Sequence, residues 1–251
     1  MSIKTSCALI TGAAGGLGSA IAEAFVASGI NVIVADINDD KLHALKEKLG
    51  EQCTSISLDV TDEAAWEKAF ATAGQQGTPV DIVVNNAGIF RPNIPFEEMP
   101  YEVWQQHMRI NADGVFLGCK QGILAMKETG GAIVNIGSGM SIKASATSSA
   151  YCASKAAVLM TTRTAAASAG QYNIRVNAVL PGAVPTEMLN GNLTEGQSEE
   201  DMLAMLRTYS PLGRLATPQD IANAVVFLAS AQAQSITGIY LPVDGGNMPG
   251  A

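Results

Sequence analysis

Short apolar runs recur along the first part of the chain at intervals of about 25 residues: Cys7–Ile10, Asn31–Ala35, Ser55–Leu58 and Val80–Val84. Each is closed at once by glycine or polar residues. The fourth, Val80–Val84, is nearly all apolar, as a central strand of a parallel sheet should be. The stretches between them carry helical periodicity and start signals. One helix follows the first run to about Ser28, a second spans about Asp39–Leu49, and a third opens on the acidic turn Thr61-Asp62-Glu63 and ends near Ala73. Further on, the pattern predicts a long helical stretch over about Glu98–Lys127 and a fifth strand over Ala132–Ile136. A helix from Ser149 to about Gly170 and a sixth strand over Ile174–Val179 follow. A helix started by Thr217-Pro218 and a seventh strand over Gly238–Asp244 close the chain. Residues Ala183–Tyr209 fit neither period and read as a mobile excursion holding one short helix. With no linker and no repeat, the order β-α-β-α-β predicts one α/β domain, a parallel sheet with helices on both faces.

Composition narrows the functional classes. The chain has 251 residues, 47 % hydrophobic and only 15 % charged, which suits a large core and further burial in an oligomer. A net charge of −8 disfavours nucleic acid and anionic membrane as partners. The four cysteines, Cys7, Cys53, Cys119 and Cys152, have no CxxC spacing and no adjoining histidine, so they read as thiols of a reducing compartment. Met1-Ser2-Ile3-Lys4-Thr5 runs into the first strand without a signal-peptide pattern, and no apolar run is long enough for a membrane span. The expected location is cytoplasmic. His43 and His107 both lie in polar helical sequence and are expected at the surface, leaving no metal site.

Three features carry chemistry. Thr11-Gly12-Ala13-Ala14-Gly15-Gly16-Leu17-Gly18 lies between a strand and a helix, the context of a phosphate-binding loop. Gly12 permits the turn, Gly16 lets a pyrophosphate approach the helix N-terminus, and Gly18 lets the helix pack closely. A glycine-rich turn without ligand is the alternative. Asp36 ends the second strand, where a carboxylate accepts hydrogen bonds from an adenosine ribose and repels a 2′-phosphate. No lysine or arginine lies in the loop or in Ile37-Asn38-Asp39-Asp40, so NAD is expected over NADP; a helix cap is the other reading of Asp36. Tyr151 and Lys155 are one helical turn apart, and a neighbouring cation lowers a phenol's pKa toward the range of a useful acid/base. A solvated surface pair is the bland reading.

In order, Thr11-Gly12-x-x-x-Gly16-x-Gly18, Asp59-Val60, Asn85-Asn86-Ala87-Gly88, Asn111, Ser138, Tyr151-x-x-x-Lys155, Pro181-Gly182 and Thr186 resemble the short-chain dehydrogenase/reductase family over nearly the whole chain. The resemblance implies a Rossmann-like, doubly wound, seven-stranded sheet, a homotetramer or homodimer, and hydride transfer between NAD(P) and an alcohol or ketone. It implies Tyr151 as acid/base, Ser138 on the substrate oxygen, Lys155 on the nicotinamide ribose and Asn111 holding a water that links Lys155 to solvent. Gly12, Gly16, Leu17, Gly18, Asp36, Asp59, Val60 and Asn86 would then hold the adenosine and pyrophosphate, and Val184 and Thr186 the carboxamide end. Gly139-Met140 after Ser138, and Cys152 after Tyr151, depart from the usual pattern; they shape an apolar pocket or are ordinary packing.

The excursion over 183–209 is expected to close on the substrate as a lid. Its apolar side chains, and the lack of an arginine in it before Arg207, suit an uncharged cyclic, aryl or steroid-like secondary alcohol. A 3-oxoacyl-thioester reductase is the alternative enzyme, disfavoured by Asp36 and the charge of −8. An NAD(H)-binding sensor without turnover is the alternative outside catalysis.

Overall fold

The computed structural model describes residues 6–75, 79–191, 193, 196 and 198–248. The strands are β1 (Cys7–Thr11), β2 (Asn31–Asp36), β3 (Cys53–Ser57), β4 (Ile82–Asn85), β5 (Gly131–Ile136), β6 (Ile174–Pro181) and β7 (Tyr240–Val243). They form one seven-stranded sheet in the order β3-β2-β1-β4-β5-β6-β7, every pair parallel. The chain winds outward from β1 to β3, then returns to β4 on the other side of β1. That reversal opens a crevice at the carboxyl ends of β1 and β4, the place where open α/β sheets bind ligands.

Alternation along the strands explains the layers. Ala8 and Ile10 of β1 face one core, where helices α1 (Gly16–Ala27), α2 (Asp39–Leu49) and α9 (Pro218–Ala229) supply Ile21, Phe25, Leu42, Ile221 and Leu228. Cys7 and Leu9 face the other, built with α3 (Glu63–Gln75), α5 (Gly114–Met126) and α6 (Ser149–Ala169) around Trp66, Val115 and Val158. Helix α5 reaches its unusually close seat because Gly118 lacks a side chain: a Cβ there would lie 1.9 Å from Asn85 Oδ1. Beneath it, Asn85 donates to Asn135 (2.8 Å) and Asn135 to Thr162 (2.9 Å), a buried polar ladder joining β4, β5 and α6.

The long predicted helix is interrupted. Helix α4 (Tyr101–His107) passes through a π-helical turn over Met108–Asp113 before α5 begins. The extra residue in that turn rotates Asn111 inward, which resolves the conflict between a poor helix former and a helical period. The excursion holds two short helices rather than one, α7 (Glu187–Asn190) and α8 (Glu199–Arg207); Asn192, Thr194, Glu195 and Gln197 lie outside the described residues. Both sheet edges are less buried than the central strands, and β7 carries Pro242, a residue that edge strands tolerate. No described helix is long and apolar enough to cross a membrane.

Candidate active site

The glycine loop is braced from below. Thr11 Oγ1 accepts from the amides of Asn86 (3.0 Å) and Ala87 (3.1 Å), and Asn86 Nδ2 donates to the carbonyls of Thr11 (2.9 Å) and Gly12 (3.0 Å). Asn86 therefore shapes the loop with its side chain. Gly12 takes a left-handed φ of +61°, and a Cβ there would lie 2.7 Å from Ala87 Cα. Helix α1 starts on Gly16 with no side-chain cap and no acid in its first turn. Its leading N–H groups and the positive end of its dipole are left for an anion, which fits the pyrophosphate of a dinucleotide. Leu17 packs into the core beside Ile21 and so anchors the loop.

Asp36 sits at the tip of β2, its carboxylate accepting from Ala14 N (3.1 Å) and Asn38 N (3.1 Å). The cap of α2 is Asn38, whose Oδ1 accepts from Lys41 N (3.0 Å), so Asp36 is not the helix cap. Asp59 folds its carboxylate onto Thr61, while Val60 is buried against the face of Gly114. At the far end, Val184 is buried and Thr186 lies over the glycine loop: a Cβ on Gly16 would come 3.3 Å from its methyl. Next to it, Glu187 reaches across to Lys41 of α2 (3.0 Å).

The acid/base candidates converge at the ends of β4 and β5. Ser138 follows β5 and caps a 3-10 turn over Gly139–Ser141. Its Oγ accepts from Met140 N (3.1 Å), and Ser141 Oγ accepts from Ser138 N (3.1 Å). Tyr151 lies in the first turn of α6, only 9 % exposed, under the ring of Phe90 at 4.4 Å between centroids. One turn on, Lys155 is 4 % exposed, and its Nζ donates to the carbonyl of Ile136 (2.8 Å). That Nζ stands 5.9 Å from the centre of the tyrosine ring. Asn111 is fully buried. Its Oδ1 accepts from Ile89 N (2.8 Å) and its Nδ2 donates to Ile89 O (3.0 Å) and Ser154 Oγ (3.0 Å).

The expected lowering of the tyrosine pKa is reversed in this state. Burial pushes Tyr151 up to about 12, with the Ser138 hydroxyl opposing the shift. Burial also brings Lys155 down to about 8, which still leaves the ammonium the dominant form at neutral pH. Desolvation is the largest cause of both shifts, and the lysine spends a hydrogen bond on the carbonyl of Ile136.

His107 corrects a second expectation. It is fully buried, not superficial, because α4 turns it away from its polar neighbours Gln105 and Gln106 and edge-on to Tyr151, with 6.3 Å between ring centroids. His43 is exposed, as its sequence context indicated. Among the described residues no group of three His, Cys, Asp or Glu side chains could hold a metal. Cys7, Cys53 and Cys119 are buried free thiols; Cys152 is partly exposed beside the site, its Sγ near Lys143 O.

Residues 12–247 match a family model described as enoyl-(acyl carrier protein) reductase. Trans-4-hydroxycyclohexanecarboxylate dehydrogenase of Sinomonas cyclohexanicum is 38 % identical, with 99 % of this chain and 95 % of the relative aligned. The 3-beta-hydroxysteroid dehydrogenase of Comamonas testosteroni is 37 % identical over 96 % of this chain and 95 % of its own. Among solved structures, 3-ketoacyl-(acyl-carrier-protein) reductase from Brucella melitensis complexed with NADH superposes with a TM-score of 0.90. It is 31 % identical, covering 98 % of this chain and 99 % of that one. Matched along its length in both sequence and fold, the chain belongs to the short-chain dehydrogenase/reductase family and is a nicotinamide-dependent oxidoreductase acting on CH–OH groups.

Proposed function

We propose that the protein interconverts a ring-borne secondary alcohol and its ketone with NAD(H) rather than NADP(H), in the cytoplasm. The observation that carries this reading is the burial of Tyr151 beneath Phe90, beside Lys155 and Ser138, at the carboxyl ends of β4 and β5. When bound, the cofactor supplies the hydride acceptor and a cationic nicotinamide ring. Tyr151 takes the carbinol proton, Ser138 holds the carbinol oxygen, and Lys155 stabilises the phenolate by its charge. Asn111 steadies Ile89 and Ser154 around them, and holds the water that passes protons between Lys155 and solvent.

Preference for NAD rests on Asp36. A 2′-phosphate there would meet that carboxylate and the acids Asp39 and Asp40, with Lys41 already paired to Glu187. Two relatives are named for ring alcohols, a hydroxycyclohexanecarboxylate and a hydroxysteroid. The first carries a carboxylate, and the lid is not the sole source of cations. Arg91 directly follows Phe90, is exposed, and its positive charge reaches His107. A charged ring substituent is therefore compatible with this site. Segment 183–209 serves as the lid, with Met202 buried at its base and Met188 and Met205 exposed.

Cofactor reduction should be followed with NAD and NADP in parallel on cyclohexanol, 4-hydroxycyclohexanecarboxylate, an aryl carbinol and a hydroxysteroid. Turnover with NAD alone is expected, and Asp36→Ser should lower kcat/KM for NAD about tenfold, the worth of a charge-assisted hydrogen bond. Turnover with NADP alone would overturn the Asp36 reading and favour the thioester reductase.

The working form in this proposal is a homotetramer. Phe116 and Leu124 on α5 and Met160 on α6 are large apolar side chains left about half exposed on one monomer. Light scattering should give four times the 26.0 kDa chain mass; a monomer in dilute solution would remove this part of the proposal.

A further inference from the structure

Residues 89–94 cross above Tyr151 as an irregular strap between β4 and α4, anchored at both ends and in the middle. Ile89 is held by both ends of the Asn111 amide (2.8 and 3.0 Å). Ile94 pairs with the chain just before α6, its N–H donating to Thr147 O (3.1 Å) beside a one-residue bridge to Ser148. Between those anchors Phe90 lies on the tyrosine ring and Asn93 adopts a left-handed φ of +66°. Among the described residues, the middle of the strap is fastened by one side chain, that of His107. Arg91 N donates to His107 Nε2 (3.3 Å), while His107 Nδ1 donates to Val103 O (2.8 Å) one turn back on α4. A backbone N–H on one nitrogen and a carbonyl on the other admit only the neutral imidazole with its proton on Nδ1.

The geometry points to His107 as a positioning residue for the acid/base: it pins the strap to α4, and thereby holds Phe90 against Tyr151. The inference rests on the reading of Tyr151 as the acid/base. Three observations lead to it. The imidazole is fully buried and has both nitrogens satisfied, so it is not free to exchange protons with substrate. It meets the tyrosine ring edge-on at an interplanar angle of 84°, opposite in character to the tilted Phe90 contact at 48°. Finally, the tyrosine side chain turns about two torsions, so ring contacts of this kind restrict where its oxygen can lie. A displacement of about 1 Å in such a group costs on the order of 100-fold in rate.

The test is steady-state kinetics with NAD and the fastest of the ring alcohols above, on five proteins: wild type, His107→Leu, His107→Gln, Phe90→Ala and the His107→Leu/Phe90→Ala pair. His107→Leu is expected to lower kcat at least about tenfold while the NADH dissociation constant, read by calorimetry, stays within about twofold. His107→Gln keeps one N–H donor and one acceptor and should recover most of the lost kcat. Because the strap is the main route by which His107 acts, the combined loss in the double variant should be clearly less than the sum of the two single losses. The inference is overturned by a leucine variant with wild-type kcat or a glutamine variant as slow as the leucine one. Additive losses in the pair, or a parallel loss of NADH affinity, overturn it as well. Tyr151→Phe assayed alongside separates the two levels: if it keeps turnover the acid/base reading falls, and this inference with it. If it is inactive while His107→Leu is normal, only the inference falls.

Discussion

Tyr151→Phe is expected to lower turnover by about two to four orders of magnitude, the contribution of a placed acid/base, while NAD(H) binding stays within a few-fold of wild type. The change removes one oxygen and keeps the ring that Phe90 and His107 hold, so little packing is disturbed. Stopped turnover with unchanged calorimetric binding is the outcome that fits an enzyme. Undiminished turnover would falsify the assignment of Tyr151, and a ligand response without any turnover in the wild type would favour the sensor. The high pKa of the buried phenol, about 12, sharpens the expectation. Proton abstraction near neutral pH needs charge placed close to the phenolate, so Lys155→Met variants belong in the same series.

Gly18→Ala should be the most damaging single-methyl change in the cofactor loop. The added carbon would lie 2.2 Å from Gly12 O and 2.7 Å from Ala13 Cα, contacts to backbone that cannot rotate away. The loop must lift from α1, which moves the N–H groups offered to the pyrophosphate. A loss of at least tenfold in NADH affinity is expected, with overpacking of about 1–3 kcal/mol and a melting temperature lower by roughly 2–10 °C. Gly74→Ala is the control, since nothing lies within 4 Å of its Cβ position and alanine suits a helix better there. Equal NADH affinity in the two variants would remove the loop from the binding site.

What was legible in the sequence follows from burial. Strands β1, β2, β4 and β5 are buried on both faces, and apolar runs announce them. The edge strand β3 is only partly buried, and its observed span, Cys53–Ser57, begins two residues before the apolar cluster that suggested it. Order along the chain was enough to nominate Ser138, Tyr151 and Lys155 as candidates, because each follows a strand end or shares a helical turn. The environment of these groups was not legible. How deeply Tyr151 is buried is set by packing, and that burial decides the sign of the tyrosine shift. His107 was misread because Gln105 and Gln106 beside it are polar; the π turn that follows has no periodic signature. The strap carrying Phe90 has no period at all, so its place over Tyr151 emerges only in three dimensions. Asn86 and Asp36 were read as facing a ligand, yet both also spend hydrogen bonds on the loop that would hold it.

The pair formed by Lys41 and Glu187 joins α2, the helix beside Asp36, to α7, the first helix of the proposed lid. Its side chains are 50 % and 82 % exposed, and an ion pair so wet contributes no more than about 1 kcal/mol. A fastening of that strength tilts an open-to-shut equilibrium by roughly fivefold at most. In the proposed lid that would be enough to favour a sheltered reaction, and too little to trap a spent dinucleotide. If segment 183–209 serves as the proposed lid, a tether this weak suits repeated opening, and departure of the cofactor would not wait on the breaking of a strong bond.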